Sequence, residues 1–552
     1  MRGRRVLLHL ANRAYRATLA AAARRFALAA NDPAAAQAER LSAVLGRARG
    51  TAFGREHGLA RARTLADYQA AVPARGWDAL TPWLDRTWQG EPDVLVPGAP
   101  GLFERSSGST RAAKHVPYTP GLLAEFSAAT GPWLHDLLSR RQALLGGSAY
   151  WSISPAGPRT ARSPGGARVG LEDDTEYFPA PVRRLLRVLL PVPPEVARLP
   201  SLDACRYVSL LHLAADPRLA LLSVWSPSFL LLLLDALEVH AERLAHDLAR
   251  GTLTPPGGAA PAALALPARP DRARALLGAT RGGLDLAYLW PRLALVSCWT
   301  DGPAARLVPA LRRRLPPSVE VQGKGLLATE GVVSFPLCDR GAVLAVASHL
   351  LELEPTDASG PPVLPHEAEP GRRYAPLLST AGGLLRYRLG DEVEVTGRVA
   401  ATPTVRFVGR LDGVSDLAGE KLSPGFVEAA LAAALAEAEV EAAFTLVAPL
   451  VADRPPCYAL FVEARRGDPG RLAEALERRL LDNPHYAHAR GLGQLGPLVA
   501  RPVTDGARRH EAALVARGTP AGAIKPPGLH GGDFWPDVFL SATEVTRFPE
   551  AG

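Results

Sequence analysis

The chain has 552 residues, of which 47% are hydrophobic and 21% are charged, and this composition excludes a disordered or fibrous protein. The formal charge of +8 is spread over isolated arginines and Arg-Arg pairs, so it does not indicate nucleic-acid binding. The four cysteines form no C-x-x-C pair, which argues against a disulfide framework and favours a reducing, cytoplasmic location. The length predicts several domain-sized units, or one large domain with a small one.

The first predicted element is a surface helix at the N-terminus, because polar and basic residues interrupt the apolar run that a signal peptide needs. Residues 219–237 are long enough for a membrane span, but Ser226-Pro227 divides them and Asp235 lies inside. We therefore expect no membrane span here. The segment predicts a buried strand, a turn, and a helix that Ser226 caps, with Pro227 at its first position.

Three segments rich in Pro, Gly and Ser are predicted loops, at residues 154–170, 251–270 and 355–371. Between them, helical patterns alternate with short apolar strands. That alternation is typical of an α/β protein. We therefore expect a large N-terminal α/β domain over residues 1–408, ending in a strand at Phe407-Val408.

The pattern changes near Gly409, and a small α+β domain is predicted over residues 409–552. Ser423-Pro424 opens an Ala-rich helix, two strand-like segments follow at 443–451 and 457–465, and Asp468-Pro469 opens an amphipathic helix.

Lysine is rare in this chain. Four lysines occur beside 59 arginines. Because arginine supplies the general positive charge, a retained lysine can mark a position that needs a compact ammonium group, although chance retention is the alternative. The four are Lys114, Lys324, Lys421 and Lys525.

The first candidate motif is the segment SSGSTRAAK, residues 106–114. Its small residues allow backbone N–H groups to approach an anion, its hydroxyls add donors, and it ends on Lys114. The segment lacks the Gly-Lys-Ser/Thr of a Walker loop. It predicts phosphate binding, with an ordinary surface loop as the alternative.

Two further motifs place carboxylates near turns. Thr329-Glu330 combines a hydroxyl and a carboxylate that suit a phosphate and its magnesium, although on these residues alone a simple turn is the better explanation. In Tyr387-Arg388-Leu389-Gly390-Asp391, a carboxylate at a strand end suits the two hydroxyls of a ribose. An Arg–Asp ion pair is the alternative for that motif.

The fourth motif lies where the pattern changes. Residues 409–413, Gly-Arg-Leu-Asp-Gly, are followed by Gly-Glu-Lys at 419–421, which makes this segment a candidate hinge. Lys525 follows near the C-terminus in a Gly-x-x-Lys context.

The order of these motifs resembles that of the adenylate-forming superfamily, which contains acyl-CoA synthetases, luciferases and peptide-synthetase adenylation domains. Within it, the chain resembles the Gretchen Hagen (auxin-responsive promoter) family of acyl-acid amido synthetases, especially bacterial members. The resemblance extends over residues 41–529. The stretches that carry it include GEPDVLVPGAPGLFERSSGST, GKGLLATEGVVSFPL, YRLGDEVEVTG, NPHYAHARGLGQL and GAIKPPGL.

The resemblance implies an AMP-forming ligase with ATP and Mg²⁺ as cofactors, a large N-terminal domain and a small mobile C-terminal domain. A carboxylic acid would be adenylated and then passed to an amine, as plant members do with amino acids. It implies that the β- and γ-phosphates are held by Ser106, Ser107, Gly108, Ser109, Thr110 and Lys114. It further implies that Thr329 contacts the α-phosphate, Glu330 binds magnesium and Asp391 binds the ribose.

The resemblance also assigns roles near and beyond the candidate hinge. Arg410 and Asp412 would lie at the hinge, with Arg410 also reaching the ribose, and Lys421 and Lys525 would bring ammonium groups to the phosphates or the reacting carboxylate. Thr329, Lys421 and Lys525 are thus the predicted catalytic residues. The implied acyl pocket, for which ordinary core is the alternative, is lined by Tyr207, His212, Trp225 and Phe229.

Two departures from the superfamily pattern keep other functions open. Arg111 replaces the usual glycine of the phosphate loop, and Leu326 replaces the aromatic residue that stacks on adenine. A nucleotide-binding pseudoenzyme is therefore one alternative, and a ligase that transfers to the thiol of coenzyme A or a carrier protein is another. No role is predicted for Lys324, for which we expect a surface or loop position.

Overall fold

The computed structural model describes residues 2–106, 114–153, 161–171, 174–178, 180–257, 260–337, 339–411, 413–415, 417–418, 420–451, 455–525 and 528–540. They divide into two compact units. Unit 1 contains the described residues up to 106, from 114 to 300 and from 309 to 407. Unit 2 contains residues 301–308 and the described residues from 408 onward.

Unit 1 is built from both helices and strands. Its α-helices are α1 (Arg2–Asn31), α2 (Pro33–Ala48), α3 (Ala52–Glu56), α4 (Leu65–Ala71), α5 (Trp77–Trp88), α6 (Pro120–Arg140), α7 (Gln142–Leu145), α8 (Ala180–Leu189), α9 (Leu202–Ala215), α10 (Pro227–Val239), α11 (Ala241–Arg250), α12 (Pro270–Ala279), α13 (Leu286–Leu289) and α14 (Val308–Arg314), which starts on the last residue of the 301–308 segment. Short 3-10 helices cover Asp174–Tyr177, Pro194–Arg198, Ala262–Leu264 and Pro365–Glu367.

The strands of unit 1 are β1 (Leu102–Ser106), β2 (Lys114–Tyr118), β3 (Ser148–Trp151), β4 (Arg168–Val169), β5 (Leu219–Ser223), β6 (Leu295–Cys298), β7 (Glu320–Gly323), β8 (Leu327–Ala328), β9 (Gly331–Val332), β10 (Ser334–Leu337), β11 (Gly341–Leu344), β12 (Leu350–Pro355), β13 (Arg373–Ser379), β14 (Tyr387–Arg388), β15 (Asp391–Val399) and β16 (Thr402–Arg410).

The apolar segment at residues 219–237 folds as predicted. It forms the buried strand β5, a turn and helix α10. The Ser226 hydroxyl accepts the Ser228 N–H at 3.2 Å and Pro227 takes the first helical position, so a side-chain cap starts the helix. Among the residues that the structure describes, no helix has both the length and the apolar character needed to cross a membrane.

A four-stranded parallel sheet with the order β3-β5-β6-β7 confirms the predicted α/β class. Strands β5 and β6 are almost entirely buried, as parallel strands covered on both faces usually are. The carboxyl ends of these strands share one edge, where open parallel sheets usually bind ligands. Ser223 ends β5, and Lys324 directly follows β7.

Two other sheets and a hairpin present the remaining motifs of unit 1. Strands β10-β11-β16-β15-β13-β12 form one sheet in that order, with β14 paired to β13. The short hairpin β8–β9 turns at Thr329-Glu330. Strand β1 pairs antiparallel with β2 and places Ser106 opposite Lys114. The predicted loops contain little regular structure in their described parts, namely β4 and two 3-10 helices.

Unit 2 is a small α+β assembly. It contains a 3-10 helix at Gly302–Leu307, another at Ala521–Ala523, and the elements α15 (Pro424–Glu437), β17 (Glu441–Leu450), β18 (Cys457–Arg466), α16 (Pro469–Leu480), α17 (Pro484–Gly491), β19 (Val499–Pro502), α18 (Gly506–Ala516) and α19 (Trp535–Phe539). Strand β18 pairs antiparallel with β17 and parallel with β19.

The helices and strands predicted for this region are confirmed. Ser423 caps α15 and Asp468 caps α16 through hydrogen bonds to backbone N–H groups at 3.3 and 2.8 Å. The predicted end of the connecting strand was wrong. Strand β16 continues past Phe407-Val408 and ends at Arg410, because Gly409 is still part of the extended strand.

Candidate functional site

The turn of the β8–β9 hairpin carries the Thr329-Glu330 pair. Glu330 is buried, with 6% of its surface exposed, and Thr329 is half-buried. The Tyr118 hydroxyl on β2 donates to the Thr329 carbonyl oxygen at 2.8 Å. Tertiary contacts therefore hold this turn in place, which neither the turn nor the phosphate interpretation of the sequence required.

A tyrosine hydroxyl links two of the predicted site residues. The Lys114 Nζ donates to the Tyr387 hydroxyl at 3.2 Å, and that hydroxyl donates to Glu330 Oε1 at 3.2 Å. The Lys114 ammonium also lies 5.5 Å from the Trp77 ring centroid. The structure thus brings together Lys114, Glu330 and Tyr387, which are more than 50 positions apart in the sequence.

Tyr387 is the member of this cluster that the sequence did not single out. It was noted only as the first residue of its motif, whereas its hydroxyl joins a cation to a carboxylate in the folded chain. A signal existed in the residues themselves, because the charged Arg388 stands between Tyr387 and Leu389, an alternation that predicts a buried tyrosine. The structure does bury Tyr387 and expose Arg388.

Burial sets the protonation state of Tyr118. Desolvation, reinforced by the neighbouring Tyr177 hydroxyl and by Glu104 and Glu330, raises the pKa of Tyr118 well above its usual value. Its hydroxyl therefore stays protonated through the neutral range and remains a donor to the Thr329 carbonyl. The Tyr177 hydroxyl lies 3.3 Å away.

Asp391 opens strand β15 and is 98% buried, since its relative exposure is 2%. Gly390, with φ near +84°, provides the left-handed turn between β14 and β15. The alternative interpretation of this motif, an ion pair between Arg388 and Asp391, is wrong. The Arg388 guanidinium instead pairs with Glu354, with Nη2–Oε1 and Nε–Oε2 distances of 2.6 and 2.8 Å.

Some of the remaining residues predicted to bind the nucleotide or to lie at the hinge are described by the structure, and the others are not. Arg410 ends β16, and Lys421 and Lys525 belong to unit 2, where both lysine side chains are exposed. Ser106 ends β1 opposite Lys114. The others lie outside the described residues: Ser107, Gly108, Ser109, Thr110 and Asp412.

A buried carboxylate shapes the loop that presents Lys421. Glu420 is fully buried and accepts the backbone N–H groups of Leu417 and Ala418, each at 2.7 Å, and the Tyr458 hydroxyl. Lys421 follows with φ near +47°, in the left-handed region that a lysine rarely adopts. The Gly-Glu-Lys motif therefore combines a structural carboxylate with an exposed ammonium group.

Two of the four predicted acyl-pocket residues are engaged within the core. The Tyr207 hydroxyl donates to Asp247 Oδ2 at 2.8 Å, and His212 Nε2 donates to the Leu264 carbonyl at 3.1 Å. Burial lowers the pKa of His212, so its imidazole is neutral around pH 7. These contacts favour the core interpretation for Tyr207 and His212, whose contacts with substrate stay a prediction.

The other two lie near the carboxyl edge of the parallel sheet. Phe229 is buried in α10, and Trp225 is half-buried with its ring centroid 5.9 Å from that of Trp299. The Lys324 ammonium lies 4.9 Å from the Trp225 ring and 5.0 Å from the Trp133 ring. Indole rings and a cation therefore meet at this edge.

We expected a surface or loop position for Lys324, and it lies in the loop that follows β7, but the surface alternative is wrong. Its relative exposure is 4%, and its Nζ donates to the Ser223 hydroxyl at 2.7 Å. Because Trp133 and Trp225 are distant in sequence, their favourable contacts with the ammonium could not be predicted from the residues around Lys324.

The described residues can be tested for their fit to a metal ion. Within the described ranges, no group of three or more His, Cys, Asp or Glu side chains could hold a metal ion. His485 and His488 are exposed on α17. Magnesium, however, is usually held by one or two carboxylates together with substrate phosphates and waters, and the buried Glu330 carboxylate fits that requirement.

Comparison with protein families gives matches along most of the chain. Residues 22–320 match the GH3 family N-terminal domain, residues 343–410 the GH3 family central domain, and residues 426–530 the GH3 family C-terminal domain.

Two curated relatives come from Oryza sativa subsp. japonica. The probable indole-3-acetic acid-amido synthetase GH3.12 is 27% identical, with 90% of this chain and 91% of the relative covered. The probable indole-3-acetic acid-amido synthetase GH3.2 is 26% identical over 72% and 69% of the two chains. A Homo sapiens GH3 domain-containing protein is 29% identical over 57% of this chain and 59% of its own length.

A solved structure shares the fold. The GH3.15 acyl acid amido synthetase superposes with a TM-score of 0.80 at 19% identity, covering 95% of this chain and 97% of its own. The same synthetase in complex with 2,4-DB gives a TM-score of 0.79 over 93% and 95% of the two chains, again at 19% identity.

Proposed function

This chain belongs to the GH3 family, and on that premise we propose that it is an ATP-dependent acyl acid amido synthetase. It activates a carboxylic acid as an acyl-adenylate and transfers the acyl group to an amine. The curated relatives named as amido synthetases and the shared fold support this reaction. The observation that carries it in this chain is the Lys114–Tyr387–Glu330 hydrogen-bonded cluster.

The first step requires two negatively charged groups to meet. A carboxylate oxygen attacks the α-phosphorus, a new P–O bond forms, and the bond to pyrophosphate breaks with its electron pair leaving on pyrophosphate. Preorganised positive charge at the phosphates is typically worth a few kcal/mol in such a step. Lys114 provides it at the β- and γ-phosphates, together with the loop Ser106–Thr110, and Thr329 positions the α-phosphate.

Glu330 would hold Mg²⁺, which supplies charge neutralisation at phosphate oxygens when it is bound. The Tyr387 hydroxyl donates to this carboxylate and accepts from Lys114, so it holds both charged groups in one orientation. Asp391 accepts hydrogen bonds from the ribose hydroxyls, and Arg410 is assigned a role at the ribose by the resemblance alone.

In the second step an amine nitrogen attacks the acyl carbon, AMP leaves, and the amine loses a proton. This needs a different set of groups around the same carbon. We assign the change to residues 409–552 as a small mobile domain, with Arg410 and Asp412 at its hinge and with Lys421 and Lys525 acting in adenylation.

The acid is aromatic or aliphatic. The half-buried Trp225, beside Trp299 and near Phe229, offers apolar surface at the sheet edge where open parallel sheets bind ligands. An amino acid is the proposed acceptor, since the relatives named amido synthetases indicate an amide product for those proteins.

The test is acid-dependent ATP–pyrophosphate exchange with a panel of aromatic and fatty acids, followed by product analysis with an amino-acid mixture or with coenzyme A. Exchange followed by amide formation supports the proposal. Exchange followed by a thioester with coenzyme A supports a thiol ligase instead. ATP binding without exchange for any acid would favour a pseudoenzyme.

The cluster predicts the effect of Tyr387→Phe. The variant removes two hydrogen bonds to charged groups, each at 3.2 Å and each worth about 1.5 kcal/mol at the low end for such bonds. We expect at least a tenfold lower exchange rate. Tyr288→Phe, at an exposed tyrosine, is the matched control and should leave the rate unchanged. Lys525→Ala should lower the rate at least tenfold.

A further inference from the structure

A buried carboxylate and a buried imidazole form a pair in unit 1. Glu125 on α6 and His349, just before β12, are both buried, and the Nδ1–Oε2 distance is 3.0 Å. The Arg47 guanidinium donates to the other carboxylate oxygen, Oε1, at 3.0 Å. Neither Glu125 nor His349 belongs to a motif that the sequence marked.

The pair binds the backbone of two segments that carry site residues. His349 Nε2 accepts the Val332 N–H at 3.0 Å, on the β9 strand of the Thr329-Glu330 hairpin. Glu125 Oε2 accepts the Ala381 N–H at 2.9 Å, in the connection that leads from β13 to Tyr387. One carboxylate–imidazole pair therefore joins the hairpin of Glu330 to the segment of Tyr387.

These contacts fix the tautomer of His349. Since Nε2 accepts an amide N–H, the imidazole proton must lie on Nδ1, where it is donated to Glu125. The contact with the hairpin is close. A Cβ at Gly331 would lie 3.0 Å from the His349 Nε2 atom, a tight contact that the ring or the hairpin would have to relieve by a small shift.

We propose that Glu125 and His349 are positioning residues for adenylation. They hold the Thr329-Glu330 hairpin in register with Tyr387, so that its hydroxyl can bridge Glu330 and Lys114. This inference rests on the proposed function, because it assigns the pair to the same step, but it specifies residues that touch neither ATP nor the acid.

Two isosteric variants of the histidine separate its two bonds. His349→Gln places an amide oxygen near the Nε2 position and keeps an acceptor for Val332. His349→Asn reaches only the Nδ1 position, so it keeps the donor to Glu125 and loses the bond to the hairpin. Ser348→Ala is the control, because it removes a neighbouring bond to the Glu125 carbonyl, at 2.8 Å, without touching the hairpin.

The experiment measures acid-dependent ATP–pyrophosphate exchange together with deuterium uptake by peptides covering residues 327–334. For His349→Asn we expect at least a tenfold lower kcat with less than a threefold change in KM for ATP, and faster deuterium uptake in the hairpin. His349→Gln should retain kcat within about threefold. Ser348→Ala should match the wild type in exchange rate and in deuterium uptake by the hairpin. Its melting temperature should be lower.

Other outcomes decide against the inference. If His349→Asn behaves like Ser348→Ala, the pair has only a structural role. If His349→Asn does not fold, Gly331→Ala provides the same test by pushing the hairpin away from an intact pair, and an unchanged kcat and deuterium uptake would overturn the proposal. Absence of exchange in the wild type overturns the proposed function itself, whereas an active wild type with an unaffected hairpin overturns only this inference.

Discussion

The ion pair between Arg386 and Glu352 gives the sharpest test of how the site segment is held. Both side chains are buried, with relative exposures of 5% and 1%. The Arg386 Nε lies 2.9 Å from Glu352 Oε2, and Nη2 lies 2.9 Å from Oε1. The same guanidinium donates to the Val72 carbonyl at 2.7 Å and to the Gln69 carbonyl at 3.2 Å.

The cost of Arg386→Met should come mainly from the carboxylate that it leaves behind. Removing one partner of a buried ion pair costs about 3–5 kcal/mol, because the other charge stays buried without its counter-ion. In this variant Glu352 would keep the hydrogen bond from Gln69 Nε2, at 2.8 Å. Replacing both partners by apolar residues removes that penalty. We therefore expect Arg386→Met with Glu352→Leu to recover at least about 2 kcal/mol of the loss, with the remainder due to the two backbone carbonyls that lose a donor.

Urea unfolding followed by tryptophan fluorescence measures this, because every tryptophan except Trp535 lies in unit 1, where the ion pair also lies. The two single variants and the double variant complete a double-mutant cycle. A double variant no more stable than Arg386→Met would refute the reasoning, since it would show that the buried carboxylate is not the source of the cost.

Two further predictions concern other parts of the chain. Burial, with a smaller effect from Arg517, lowers the pKa of His530 to about 4. Between pH 6.5 and 4 the unfolded chain binds a proton that the folded chain excludes, so unit 2 should lose up to about 3 kcal/mol of stability as the pH falls through this range. His530→Asn should make the stability of unit 2 less dependent on pH in unfolding titrations, and an unchanged dependence would exclude His530 as its cause. An alanine Cβ at Gly165 would lie 2.4 Å from the Gly90 backbone, so Gly165→Ala should lower the melting temperature by several degrees, while Gly101→Ala, in open space, should not; equal melting temperatures would refute the close approach.

Local signals predicted the elements of the fold well. The caps Ser226, Ser423 and Asp468 each start a helix at the predicted residue, because a side-chain oxygen followed by proline satisfies the first N–H groups without help from the rest of the chain. The α/β class also followed from alternating apolar strands and helices. These features depend on neighbours within a few positions.

Long-range pairs could not be predicted in the same way. The burial of Lys324 depends on Trp133 and Trp225, which are 191 and 99 positions away in the sequence. The cluster at Tyr387 likewise joins Lys114 to Glu330 through a residue to which the sequence assigned no role. The sequence shows which charged residues are present, whereas the partners of a buried charge depend on the tertiary fold.

The scarcity of lysine was nevertheless informative for a physical reason. A buried or closely bridged cation must fit its surroundings, and arginine, with its broad planar fork, is not equivalent there. Lys324 fits between two indole rings with its Nζ on a hydroxyl, and Lys114 places one ammonium on a tyrosine oxygen. Lys421 differs, because its side chain is exposed and the neighbouring Glu420 provides the buried contacts of its loop. Its exposed ammonium group is accessible to a ligand, and its role at the phosphates stays a prediction.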